Sequence, residues 1–319
     1  MRIAAYGELS LHVSVAPPNG LQDGAREFRL RGVDMEVGGS PHYVAAQAVA
    51  EGDSALLVGT VGPDPAGAWI RAGLARWQSP AVSVHLVETG TRSARLVLEP
   101  SADGNDVDIT ADPADGSIDT LAYRVPAVGD AEYAHLSCFP GSDRLREALA
   151  ATGTPLIADF GFLPWRRDPQ ALARAVRSRL TGVAVAVFNG LGAEEETTRV
   201  ARQAVAAGVR VALVTFGAAG ALVCDARGIH RQSAPPVPVV NPVGAGDTLA
   251  TAFVHAWHRG AAPDDALEYG QSAAARHVSG RPATIGAGAR TPGATGAGAS
   301  PVGASRTVTS PAARTRSAG

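Results

Sequence analysis

The stretch Asn241-Pro242-Val243-Gly244-Ala245-Gly246-Asp247-Thr248 ends an apolar, strand-like run and opens a long amphipathic helix. A Gly-Ala-Gly turn lets backbone approach a ligand without Cβ obstruction, and the helix start adds the positive end of its dipole. Anions are favoured there. Asp247 stands in the middle of this electropositive turn, where its carboxylate is expected to stay ionised and to take a proton from a hydroxyl beside a phosphate. The same four residues, Gly244 to Asp247, also read as an ordinary glycine turn before a helix. The rest of the chain has to separate the two.

Composition narrows the class. With 319 residues, 45% of them hydrophobic, the chain can bury a large core, and a formal net charge of −2 argues against nucleic acid as the main partner. All 28 basic residues are Arg. Walker-type, Schiff-base and general-base lysines are therefore excluded. Cys138 and Cys224 lie in apolar runs and read as buried free thiols of a reducing compartment. The N-terminus reads as a first strand rather than a signal peptide, and no run approaches the ~20 apolar residues of a membrane span, so a cytoplasmic protein is expected. His255 and His258 have helical spacing without a ligand cluster, and the acids from Asp103 to Asp119 read as a solvated loop.

The elements that position the turn follow from periodicity. Strands are expected at Tyr133 to Ser137, Leu156 to Asp159, Val183 to Phe188 and Val211 to Thr215. Helices are expected near Arg144 to Ala151, Pro169 to Ser178 and Thr197 to Ala207. This is the rhythm of βαβ units on a parallel sheet, whose ligands bind beyond the carboxyl ends of the strands. Upstream, strands at Ile3 to Tyr6, Leu9 to Val15 and Ala55 to Val58 alternate with helices over residues 41–50 and 66–76, with polar irregular chain before Gly38. Leu86 to Glu88 and Ser93 to Glu99 are expected to leave the main sheet for a small protruding one, a lid drawn from about 9–37 and 84–110. A single domain over 1–285 is expected, with 286–319 a disordered low-complexity tail.

Four strings stand in a fixed order: Gly38-Gly39, the run from Gly59 to Gly67, Thr215-Phe216-Gly217-Ala218-Ala219-Gly220, and Gly244-Ala245-Gly246-Asp247. This order resembles the PfkB carbohydrate kinase family, also called ribokinase-like, over about residues 1 to 284. The resemblance implies a three-layer α/β/α sandwich with a mostly parallel sheet and a small β-sheet lid. It also implies transfer of the γ-phosphoryl group of ATP, with Mg2+, to a hydroxyl of a sugar, sugar derivative or nucleoside. By position, Asp247 becomes the general base, and the N–H groups of Gly244, Ala245 and Gly246 form the anion hole. Thr215, Gly217 and Gly220 fall on the nucleotide side, Gly38 and Gly39 on the sugar side. The resemblance also makes a homodimer through the lid an expectation.

Several positions depart from the family pattern. His12 stands where an Asp commonly reads two sugar hydroxyls, and Tyr43 stands at a substrate-contacting Asn, where a phenol could stack on a ring. Asp159 survives from an Asp-Pro-Asn string followed by Arg, whose Asn and Arg positions have become Gly161 and Leu163, a loss of polarity that suggests a more apolar substrate edge. Asn189 begins the family's Asn-x-x-Glu string, linked to Mg2+ and phosphate, but its acid has slid to Glu194, or else Glu194, Glu195 and Glu196 are a solvated helix start. Asn241-Pro242 replaces an Asp-Thr pair near a monovalent cation. An eroded kinase fold acting as a binding protein is the alternative these changes motivate.

Overall fold

Alternate residues of β1 (Arg2–Glu8) enter two different cores: Ile3 and Ala5 face one, Ala4 and Tyr6 the other, all inaccessible to solvent. A strand apolar on both faces belongs in the middle of a covered sheet. β1 lies between β4 (Ser54–Val61) and β8 (Tyr133–Ser137), parallel to both. Outward from β8 follow β9 (Leu156–Asp159), β10 (Val183–Asn189) and β11 (Val211–Thr215), and outward from β4 comes β5 (Val82–Glu88). All of these run parallel. The hairpin β12 (Ala221–Asp225) and β13 (Gly228–Gln232) adds an antiparallel edge, completing nine strands in the order β13-β12-β11-β10-β9-β8-β1-β4-β5.

Helices cover both faces. On the Ile3 side pack α1 (Ser40–Ala50), α2 (Pro65–Ala75), α6 (Ala245–His258) and α7 (Pro263–Ser279), through residues such as Val44, Ile70, Phe253 and Leu267. On the Tyr6 side pack α3 (Asp143–Ala151), α4 (Pro169–Ser178) and α5 (Glu194–Ala206), with Leu121 and Val128 from a 3-10 segment, Ile118–Val128. This is the three-layer α/β/α architecture, seen in a computed structural model that describes residues 1–15, 33–89, 94–98, 107–110, 118–138, 141–161 and 169–280. The tail from 286, which includes the terminal unit 288–319, and Leu163 lie outside the described residues.

A second sheet has the order β3-β2-β6-β7, built from β2 (Ser10–Val15), β3 (Val33–Gly38), β6 (Ala94–Leu98) and β7 (Val107–Thr110). Its membership corrects the sequence reading in three places. Leu86 to Glu88 belong to the central sheet, because β5 pairs along β4 with Leu86 opposite Gly59, and its side chains meet both cores. The small sheet takes its second segment from Ala94 onward, not from 84. Within the spans expected for the lid, residues 33–38, read as the end of a polar irregular stretch, pair with β2, Val37 opposite Leu11, and 107–110, read as part of a solvated loop, pair with β6, Ile109 opposite Leu96. In both strands the apolar residues number only two or three, and pairing in the sheet supplies what their composition does not.

Short local devices hold the connections. Asp64 caps α2 by accepting from the Gly67 N–H at 2.8 Å, and a Cβ at Gly67 would overlap the Gly62 carbonyl. That accounts for the glycines of the 59–67 string as structural. Helix starts and strand ends then converge on the carboxyl edge of the parallel sheet, beyond Glu8, Ser137, Asp159, Asn189 and Thr215.

Candidate active site

Gly244 caps α6 in the left-handed region, φ 82°, and a Cβ there would lie 2.5 Å from Cγ of Tyr43. Only glycine satisfies both conditions. The turn spends one of its three expected donors internally, since the Ala245 N–H donates to the Pro242 carbonyl at 3.2 Å. No side chain among the described residues caps the helix, so the first-turn N–H groups of Gly246 and Asp247 keep their anion-binding capacity. Gly246 is exposed, with open space where a Cβ would stand.

Two neighbours fix this turn. His277, from the end of α7, lies 2.6 Å through Nε2 from the Val243 carbonyl and 3.2 Å through Nδ1 from Oγ1 of Thr248. A carbonyl only accepts, so Nε2 carries the hydrogen and Nδ1 accepts from the Thr248 hydroxyl. Burial lowers the His277 pKa, against the opposing effect of the bond to Val243, which favours the neutral ring this arrangement needs. On the other side Asn241 accepts from the Val243 N–H at 2.9 Å and donates to Glu36 of the small sheet at 3.1 Å.

Asp247 has 11% of its side chain exposed and does not carry the ordinary carboxylate acidity expected of an electropositive turn. Its pKa is raised, first by burial and second by the charge of Asp159, while a hydrogen bond from Ser40 at the start of α1 pulls it down. Asp159, at the end of β9, is raised too by burial, against the Gly161 N–H that donates to it at 2.6 Å. Desolvation and a like charge outweigh the helix start. Beneath both lies His135 of β8, Nε2 at 3.9 Å from Asp247 Oδ1, its pKa pushed down to about 4 by burial.

The residues expected on the sugar side are packed together rather than presented. His12 is 1% exposed and Tyr43 4%; the Tyr43 hydroxyl lies 3.2 Å from His12 Nδ1 and donates to Glu36 at 3.4 Å. A Cβ at Gly38 would overlap the His12 ring, and one at Gly39, φ 102°, would overlap the Glu8 carbonyl. These glycines let α1 start against the end of β1. The Tyr43 ring lies under Gly244 and edge-on to His277, so it offers no open face for stacking, contrary to the reading from its residue type.

Of the residues expected on the nucleotide side, Thr215 ends β11 with its hydroxyl donating to the Phe188 carbonyl at 3.4 Å, and Gly217 and Gly220 both have positive φ. A Cβ at Gly220 would overlap the Gln232 carbonyl. Asn189 accepts from the Leu191 N–H at 3.0 Å, closing a turn. Glu194 opens α5 and is paired with Arg231, the second contact 3.4 Å long, while Arg231 also stacks 4.8 Å over Phe216. Of the two positions the sequence linked to Mg2+, one is committed to a turn and the other to an arginine. They do not fit a preformed metal site.

His135, Ser40 and His277 carried no sequence expectation, and Asp159 had no role. His135 has no local signal, being one histidine in an apolar strand, whereas Ser40 follows Gly39 at a helix start and was findable as a residue facing the same edge.

Comparison with known proteins fits this geometry. The phosphofructokinase-2 of Escherichia coli, solved with substrates and products, superposes with a TM-score of 0.69 at 20% identity, covering 87% of this chain and 92% of that one. A microbiome-derived acarbose kinase gives 0.72 at 16% identity over 87% and 92%. An Escherichia coli protein described as a ribokinase II, solved with ATP and Mg2+, gives 0.69 at 18% over 89% and 95%. At these identities the likeness is one of fold. In sequence, the fructoselysine 6-kinase of Escherichia coli K12 is 33% identical over 86 residues, which is 27% of this chain and 33% of that protein's length. The family described as pfkB family carbohydrate kinase matches residues 2–287. With that match spanning nearly all of the chain, and with its glycine turns on the carboxyl edge of a ribokinase-like sheet, the protein belongs to the PfkB family of carbohydrate kinases.

Proposed function

We propose that this protein transfers the γ-phosphoryl group of ATP to a hydroxyl of a sugar or sugar derivative, with Asp247 as general base. The observation that carries the reading is the position of Asp247 in the first turn of α6, its carboxylate beside uncapped helix N–H groups. The hydroxyl O–H bond breaks with its proton passing to the Asp247 carboxylate. The same oxygen bonds to the γ-phosphorus as the bond to the β–γ bridging oxygen breaks, and ADP leaves. The Gly246 and Asp247 N–H groups would meet charge on the transferring group. A base whose pKa is raised toward neutrality is well matched to receive a proton in that transition state.

ATP is the proposed donor, with Thr215, Gly217 and Gly220 on its phosphate side. Mg2+ would neutralise phosphate charge, held chiefly by phosphate oxygens and water, as suits a hard ion that dehydrates reluctantly. Gly38 and Gly39 would border the acceptor. A sugar derivative is favoured over a nucleoside, because Tyr43 is enclosed and the matched relative is named for a sugar derivative. A homodimer through the small sheet is part of the proposal, motivated by Met35, 47% exposed on its edge strand β3, and is read by light scattering.

ADP release over a panel of free sugars, sugar phosphates and glycated amines tests the reading, with Asp247→Asn beside the wild type. A loss of about 10²–10⁴ in turnover is expected in the variant. ATP binding with no turnover on any acceptor would favour the non-catalytic alternative.

A further inference from the structure

His135 poses a problem of its own. Its side chain is 1% exposed, yet among the described residues neither ring nitrogen has a hydrogen-bond partner, and neither does Asp247 Oδ1 beside it. Leaving a buried polar group unsatisfied is destabilising, so such atoms call for a physical reason. Here the orphans point at one another and at a third donor. One ligand atom each from His135, Asp159 and Asp247 lies within 4.8 Å of the other two.

Three rigid elements hold these donors. β8 and β9 are hydrogen-bonded neighbours in fixed register, His135 opposite Ile157 and Ser137 opposite Asp159, and α6 brings Asp247 down from the helix side of the sheet. First-row divalent ions bond nitrogen and carboxylate oxygen at about 2.0–2.2 Å, so donors around a four-coordinate ion sit roughly 3.4 Å apart. His135 Nε2 and Asp247 Oδ1, 3.9 Å apart, are near that spacing, and a pair at the 4.8 Å limit must close by about 1.4 Å. One imidazole and two carboxylates form a mixed nitrogen and oxygen set, which suits Zn2+, Co2+ or Mn2+ better than Mg2+, with water in the remaining position.

We infer that His135, Asp159 and Asp247 form a binding site for a first-row transition-metal dication of the Zn2+ class. Coordination engages the Asp247 oxygen lone pair that would receive the hydroxyl proton, so the ion is an inhibitor of the kinase. The inhibitory consequence rests on the proposed role of Asp247; the binding does not.

The test uses the full chain stripped with chelator and then titrated with Co2+, read by visible d–d absorption, and with Zn2+, read by calorimetry and by the rise in Tm that binding to the folded state produces. One equivalent is expected to bind at micromolar concentration or tighter in wild type, on the order of −8 kcal/mol. His135→Gln and Asp159→Asn, each checked for folding by circular dichroism, are expected to weaken binding at least tenfold. Zn2+ inhibition of ADP release should move to higher concentration in His135→Gln. Absence of saturable binding, or equal affinity in both folded variants, would overturn the site. Binding without any kinase activity would leave the site standing and remove only the proposed reaction.

Discussion

Thr248 donates its hydroxyl to His277 Nδ1 at 3.2 Å, and the same ring returns a hydrogen bond to the Val243 carbonyl, two residues before Ala245 opens α6. One imidazole therefore ties both ends of the Gly-Ala-Gly turn to the last described helix. Replacing it should be felt at the turn first. His277→Ala is expected to lower stability by about 1–3 kcal/mol, the cost of two buried polar partners left unsatisfied. It should also lower kcat about tenfold, whereas a base acting alone would be untouched. Urea unfolding and steady-state kinetics measure the two effects.

Asp247→Asn keeps the shape of the turn and removes its proposed proton acceptor. A loss of general-base catalysis of about 10²–10⁴ in kcat is expected. ATP affinity by calorimetry should change little, because the open N–H groups belong to the backbone. A fall in binding as large as the fall in rate would mean that the carboxylate acts on the nucleotide instead.

Acid sensitivity should arise at His42, which is fully buried beside Tyr43 and Trp77. Burial, then the neighbouring His12 and His277, pushes its pKa down to about 3 from an ordinary 6.5. Below pH 6.5 the unfolded chain binds a proton that the folded chain refuses, so stability falls as pH falls toward 3. The slope approaches about 1.4 kcal/mol per pH unit for one proton. Urea midpoints between pH 7.5 and 5 should decline less in His42→Gln than in wild type.

Glu194→Gln separates the two roles offered for that residue. Paired with Arg231 at the surface, it should have almost no effect on kcat, less than about threefold, as expected of exposed ion pairs. A drop of two orders of magnitude at limiting Mg2+, reversed by excess Mg2+, would instead restore it as a metal-linked acid.

Gly244→Ala puts a methyl group against the Tyr43 ring at a positive φ. Loss of both stability and turnover is expected, of the order of 1–3 kcal/mol for the backbone alone. Gly246→Ala has open space and should lose far less stability, with Tm as the comparison.

Asp247 and its glycines were legible in the sequence because their chemistry is local: a turn, a helix start and an acid within four residues. His135 was not, since its meaning comes from the pairing of β8 with β9 and from where α6 lands on the sheet. The same holds for β5, whose apolar run reads as a strand but not as a strand of the central sheet until its register on β4 is known. For His12 and Tyr43, residue type does not disclose burial, and both are enclosed rather than presented. α7 went unread although its signals were present: Pro263 at the start, Asp264 and Asp265 in the first turn, and Gly280 after the last residue.

The central position of β1 has a temporal consequence. Ile3 pairs on one side with Ala55 and on the other with Tyr133, so one edge of the strand can be satisfied early and the other only about 130 residues later. At a synthesis rate of about 5–20 residues per second, that interval is on the order of ten seconds. Throughout it, a strand apolar on both faces waits with one row of backbone groups unpaired, an open edge that invites pairing with another chain until β8 is made.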